Sequence, residues 1–222
     1  MASSTLQIIA FILSFLGLML LHAATVSNYW KHSTPAKDII TSSWISEGLW
    51  RSCAATSYGS VQCKTFSSLL SLEIYIQVCR ALMIISLILG MGGVLLSLLG
   101  LKCTQLGSTS ENAKIKISIT GGMMFILGGL SSVIAVSWYA ALVTAQFFDS
   151  LYGGTKYELG TALFVGWAGS LLSILGGVLL TCSGCKEKHR NPKYDYSAAQ
   201  RTNKSRIYIK KSETVMPVQD YV

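Results

Sequence analysis

Four long apolar stretches, separated by polar segments, constrain the fold of this 222-residue chain more than any other feature. Each stretch reaches about 20 residues, the length that a helix needs to cross a hydrocarbon core about 30 Å thick. Apart from Arg80 at the mouth of the second, the stretches contain no Asp, Glu, Lys or Arg. With 51% hydrophobic residues, the chain is too apolar for an ordinary soluble domain. We therefore predict a mainly α membrane protein, a left-handed bundle of four transmembrane helices with a small extracellular antiparallel β-sheet.

The distribution of basic residues predicts which polar segments face the cytoplasm. The tail carries nine Lys or Arg against four acids, and the middle polar segment is also basic, so the positive-inside rule places both termini in the cytoplasm. The first stretch lacks a basic flank and is longer than a signal-peptide core, so we expect it to remain as a span. The predicted segments are a cytoplasmic N-terminus at 1–6, spans at 7–27, 79–101, 117–144 and 159–182, outer loops at 28–78 and 145–158, a cytoplasmic loop at 102–116 and a cytoplasmic tail at 183–222.

The first outer loop combines two cysteines with patches of aromatic and β-branched residues. Nine residues separate Cys53 from Cys63 on the side of the membrane where disulfides persist, which favours a bridged β-hairpin over two unpaired thiols. The patches predict several short antiparallel strands. We expect Trp30, Leu49 and Trp50 to form a small core against the membrane surface, and interfacial anchoring is the alternative role for the two indoles.

The remaining chemistry argues against catalysis and transport through the bundle. Three scattered histidines form no metal constellation, and the spans lack the ionisable residues that a proton-coupled transporter needs. We therefore predict no enzyme activity, no metal and no cofactor. The net charge of +8 lies mostly in the tail, which fits membrane topology better than nucleic-acid binding. Cys103, Cys182 and Cys185 lie at predicted inner span ends and are candidates for palmitoylation, with simple thiols as the alternative.

Motifs along most of the chain resemble the claudin family of tight-junction proteins. The first loop matches through Trp30, the triplet Gly48-Leu49-Trp50 and the two cysteines, and Arg80 matches the basic residue that opens the second span. The segment Lys156-Tyr-Glu-Leu-Gly160 and the terminal pair Tyr221 and Val222 extend the resemblance.

The resemblance implies a function and a set of partners. A claudin at the plasma-membrane tight junction polymerises with itself and other claudins, in cis and in trans, into strands that control paracellular permeability. Tyr221 and Val222 would bind PDZ domains of zonula occludens scaffolds, because they offer a free carboxylate and an apolar terminal side chain. Membrane lipid is the other expected partner, and nucleic acid is not one. The alternative is a claudin-like auxiliary subunit or adhesion protein without its own paracellular pore.

Aromatic residues of the second outer loop are candidates for contact between claudin molecules. The resemblance implies that Phe147, Phe148 and Tyr157 in the second outer loop contribute to contact between cells or to polymer packing, although packing on the first loop explains some of them equally well.

Charge in the first outer loop gives a prediction of ion selectivity. Many cation-conducting members have Asp shortly after either cysteine, where this chain has Thr56 and Thr65. Lys64 directly follows Cys63, and fixed cations favour anions. We expect a cation barrier or a modest anion preference, with Lys64 as the main determinant and Glu47 as a second residue able to line the path. A solvated surface lysine is the alternative reading.

Overall fold

The computed structural model describes residues 2–33, 44–55, 60–65, 73–100, 111–149 and 157–190. Within these ranges the elements follow the order α1 (Ala2–Val26), β1 (Lys31–Ser33), β2 (Trp44–Glu47), β3 (Arg51–Ala55), β4 (Val61–Thr65), α2 (Ile74–Gly100), α3 (Glu111–Phe148), β5 (Tyr157–Leu159) and α4 (Thr161–Arg190). In this part of the chain four helices are long and apolar enough to cross a membrane, namely Thr5–Val26, Ile74–Gly100, Ala113–Phe148 and Thr161–Lys186. The predicted four-helix architecture with a small antiparallel sheet is confirmed.

The helices continue past the spans that hydropathy predicts. The longest, α3, has 38 residues and is therefore about 57 Å long, nearly twice the thickness of a hydrocarbon core. Its C-terminal end contacts β5, the short strand between α3 and α4. The sequence places Leu159 at the start of the fourth span, whereas this residue ends β5 and α4 begins at Thr161.

Glycine and serine bring the helices of the bundle close together. A Cβ added to Gly177 of α4 would lie 2.7 Å from the carbonyl oxygen of Gly122 on α3, so no larger residue fits at this crossing. Two to three helical turns away, the buried hydroxyls of Ser132 on α3 and Ser170 on α4 are 2.8 Å apart and hydrogen-bond each other. Helix α1 approaches α4 equally closely, at Gly17 and Ser173.

The five strands form one antiparallel sheet in the order β4-β3-β2-β1-β5. The first four strands come from the first predicted outer loop, and β5 comes from the end of the second, so the sheet joins these two loops. Lys31 of β1 pairs with Glu47 of β2 on one side and with Leu159 of β5 on the other.

The main hydrophobic core lies where this sheet meets the end of the bundle. Trp30, Leu49 and Leu163 are 0% exposed, and Tyr139 of α3 is 1% exposed. The rings of Trp30 and Tyr139 meet edge to face with centroids 5.0 Å apart, a geometry that aromatic pairs favour. The core therefore fixes the sheet to α3 and α4.

Candidate functional site

Two indole groups of the first loop satisfy carbonyls at the C-terminal end of α1. The Nε1–H of Trp30 donates to the oxygen of Ala24 at 2.8 Å, and the Nε1–H of Trp50 donates to the oxygen of Thr25 at 3.0 Å. The last carbonyls of a helix have no partner within the helix, so these bonds replace the water that a helix end normally binds. The loop is thus tied to the end of the first helix.

Arg80 ties the same loop to α2. Its Nε–H donates to the carbonyl oxygen of Leu49 at 2.6 Å, and its guanidinium lies 5.0 Å from the ring centroid of Trp50. The predicted small core is present at Trp30 and Leu49, but Trp50 differs because it is 37% exposed. Its role is to bridge α1 and Arg80 at the rim of the core.

Gly48 permits the tight turn that presents Leu49 and Trp50. Its N–H donates to the oxygen of Arg51 at 2.9 Å. A Cβ at this position would lie 2.5 Å from the carbonyl oxygen of Ser27, so the close approach to the end of α1 requires glycine.

A disulfide joins β3 and β4. Cys53 and Cys63 face each other in the ladder, with their Cα atoms 4.0 Å apart, and the predicted bridged hairpin is confirmed. Cys53 is buried, whereas all five residues of β4 are exposed. The bridge holds this exposed edge strand on the sheet.

Three charged side chains and one serine form a row across one face of the sheet, which we call the charge row: Lys64 of β4, Ser52 of β3, Glu47 of β2 and Lys31 of β1. Each is the direct cross-strand partner of the next, so their side chains project from the same face. Thr65 follows Lys64 along the strand and therefore projects from the opposite face. The two selectivity candidates of β4 are thus separated by the sheet.

Within the charge row, Glu47 is paired and Lys64 is not. The carboxylate of Glu47 lies 2.8 Å from the Nζ of Lys31, and these side chains are 22% and 10% exposed. Lys64 has Ser52 as its ladder neighbour and forms no ion pair within the row. The row therefore presents one exposed, uncompensated positive charge at its β4 end.

The predicted second outer loop contributes Tyr157 to the same face. The Nζ of Lys31 lies 4.4 Å from the ring centroid of Tyr157, and the tyrosine hydroxyl donates to the other carboxylate oxygen of Glu47 at 3.5 Å. On the opposite face, His32 Nε2 lies 3.6 Å from the carboxylate of Glu158. Short-range sequence patterns miss these pairs because their members are far apart along the chain.

The three aromatic contact candidates fall into two environments. Phe148, at the end of α3, is 78% exposed, and its ring meets that of Phe147 edge to face at 5.6 Å. Tyr157 is half-buried within the sheet. Of the three candidates, Phe148 presents an exposed apolar ring, Phe147 is half-buried beside it, and Tyr157 packs within the sheet.

Other candidate residues are distributed over the rest of the chain. Cys182 and Cys185 are exposed near the end of α4 that is remote from the sheet, while Cys79 is buried beside α3, with its thiol donating to Ala135. Thr56, Cys103, Tyr221 and Val222 lie outside the described residues. Across the described ranges, no group of three or more His, Cys, Asp or Glu side chains comes together as a metal site would require.

Comparison with known proteins identifies the family. The model of the PMP-22/EMP/MP20/Claudin family matches residues 4–180. This chain belongs to the claudin family. Human claudin-19 is 47% identical over 192 residues, covering 86% of this chain and 85% of the relative. Claudin-15 of Bos taurus is 44% identical over 186 residues (84% and 79%), and human claudin-7 is 42% identical over 185 residues (82% and 88%).

Membership of the claudin family confirms several of the sequence predictions at the level of the family. The chain is a multi-pass membrane protein of the tight-junction claudins, a family of structural junction proteins. The contacts that tie the sheet to α1 and α2 are made by five residues that the sequence analysis singles out: Trp30, Gly48, Leu49, Trp50 and Arg80.

Proposed function

We propose that this claudin polymerises into intercellular strands and acts there as a barrier to cations, or as a path with a weak preference for anions. The observation that carries the proposal is the charge row, in which Lys64 alone is exposed and uncompensated. Lys31 and Glu47 neutralise each other, so the row has a net charge of +1. A fixed positive charge lowers the local concentration of cations and raises that of anions.

The position of Lys64 makes its charge effective toward passing ions. It lies on the exposed edge strand, and the Cys53–Cys63 bridge holds that strand in place. A charge fixed on a rigid strand acts at a defined point, and its influence extends over about 8 Å at physiological ionic strength. Ions moving along this face within that distance would experience the +1 charge.

The remaining parts of the proposal concern topology and partners. We place the sheet outside the cell and both termini in the cytoplasm, which puts Cys182 and Cys185 at the inner membrane surface, where palmitoylation occurs. The exposed Phe148, with the half-buried Phe147 against it, is proposed to contact neighbouring claudins in cis or in trans. Tyr221 and Val222 would bind PDZ scaffolds of the zonula occludens type.

The experiment that tests the proposal measures sodium-to-chloride dilution potential and resistance across a claudin-poor epithelial monolayer. Wild type should shift permeability toward chloride or reduce sodium conductance, and Lys64→Asp should reverse that shift. Arg51→Asp is the matched control, because Arg51 is also exposed and basic but projects from the opposite face of the sheet. A wild-type protein that reaches cell contacts without changing permeability would contradict the proposal and favour an auxiliary subunit.

A further inference from the structure

Lys31 is unusually buried for a lysine of an outer loop. The residue is only 8% exposed, and lysine is almost never buried to this extent unless its charge is paired. Its Nζ contacts two groups, the carboxylate of Glu47 at 2.8 Å and the ring of Tyr157 at 4.4 Å. The ammonium group of Lys31 is therefore buried as an ion pair with the carboxylate of Glu47.

Glu47 occupies a position at which an unpaired carboxylate would act on ions. It belongs to the same row as Lys64, two strands away, which corresponds to about 10 Å across the sheet. Its side chain is 22% exposed, so part of it contacts solvent at the charge row. Without Lys31, the negative charge of Glu47 would offset the positive charge of Lys64.

We propose that Lys31 is a specificity-determining residue that acts through Glu47, by neutralising a carboxylate that would otherwise attract cations to the charge row. Tyr157 is a positioning residue in this arrangement, because its ring supports the ammonium group of Lys31 and its hydroxyl contacts Glu47. The second outer loop therefore helps to set the charge of the first. This inference rests on the proposed paracellular function and adds Lys31 to Lys64 as a residue that determines ion selectivity.

The charges of the row predict opposite effects for the two halves of the pair. The wild-type row sums +1 from Lys64, +1 from Lys31 and −1 from Glu47, which gives +1. Lys31→Met leaves 0, Glu47→Gln leaves +2, and the double variant Lys31→Met/Glu47→Gln returns to +1. If the pair mattered only for the stability of the sheet, both single substitutions would loosen it and change permeability in the same direction.

The test measures the chloride-to-sodium permeability ratio in the same monolayer for wild type, both single variants and the double variant. We expect Lys31→Met to lower the ratio about two- to threefold, Glu47→Gln to raise it by a similar factor, and the double variant to lie near wild type. Localisation at cell contacts is scored for each protein. The exchange variant Lys31→Glu/Glu47→Lys, which keeps the pair and its net charge, should also match wild type.

Each outcome of this test has a defined meaning. Opposite shifts of the single variants, with recovery in the double or exchange variant, support the role of Lys31. Shifts in the same direction, or no shift in either variant while Lys64→Asp still changes the ratio, overturn it and leave the proposed function standing. If wild type itself changes no permeability at cell contacts, the proposed function fails, and the role of Lys31 fails with it.

Discussion

The Nε–H of Arg80 donates a hydrogen bond of 2.6 Å to the carbonyl oxygen of Leu49, which joins the start of α2 to the turn between β2 and β3. Both residues are buried, so a substitution that removes the donor leaves the carbonyl unsatisfied. We expect Arg80→Met to lower the free energy of unfolding by about 1–3 kcal/mol. Thermal unfolding in a single detergent measures the change. Arg51→Met is the control because Arg51 is exposed, and an equal loss in both variants would contradict this role for Arg80.

The two indole caps of α1 differ in burial, and this difference predicts unequal costs of substitution. Trp30 is 0% exposed and packs on Tyr139, whereas Trp50 is 37% exposed. Substitution by phenylalanine removes the N–H donor of either residue. We expect Trp30→Phe to cost about 1–3 kcal/mol, because the carbonyl of Ala24 is then buried without a partner. We expect Trp50→Phe to cost about 1 kcal/mol or less, because residue 50 is partly exposed and water can take the place of its N–H. Equal shifts in unfolding temperature would show that burial does not decide the cost.

The disulfide restrains β4, the exposed edge strand that carries Lys64. Replacing both cysteines, as Cys53→Ser/Cys63→Ser, should lower stability by about 2–3 kcal/mol on the chain-entropy model. Because the bridge joins two neighbouring strands of the sheet, amide exchange should increase in β3 and β4 while the bundle stays protected. Uniform loss of protection across the helices would contradict this local role.

The crossing of α3 and α4 depends on a glycine pair. A side chain at Gly177 would meet the backbone of Gly122, so we expect Gly177→Val to destabilise the protein by about 1–3 kcal/mol through overpacking. Val178→Leu is a matched control, because the neighbouring Val178 is exposed on the bundle surface. Unfolding midpoints of the two variants in one detergent provide the comparison, and indistinguishable midpoints would mean that the helices separate at little cost.

The sequence predicts the architecture well because hydropathy and cysteine chemistry act locally. Runs of about 20 apolar residues can satisfy their backbone in a membrane only as helices or closed barrels, so the four helices follow from composition and length. The spacing of Cys53 and Cys63 similarly predicts a hairpin, and the structure contains it.

The charge row is not predictable in the same way, because it depends on the register of strands that are distant in sequence. Summing the charges of the first loop treats Lys31 and Glu47 as independent residues, although the ladder places them opposite each other. The contribution of Tyr157 requires a fifth strand from the second loop, which short-range patterns do not indicate. Only the three-dimensional pairing separates the neutralised carboxylate from the uncompensated lysine.

The most direct test of the central claim changes the charge at position 64 in a single monolayer. Lys64→Cys is expressed in claudin-poor epithelial cells, and dilution potentials are recorded before and after a cationic or an anionic thiosulfonate reagent is applied from outside. Residue 64 projects from the face opposite to Cys63, and cells without the substitution provide the reagent control. We predict that the cationic reagent restores chloride preference and that the anionic reagent produces sodium preference. Equal effects of both reagents, or none despite labelling of Lys64→Cys, would contradict a role for the charge of Lys64 in selectivity.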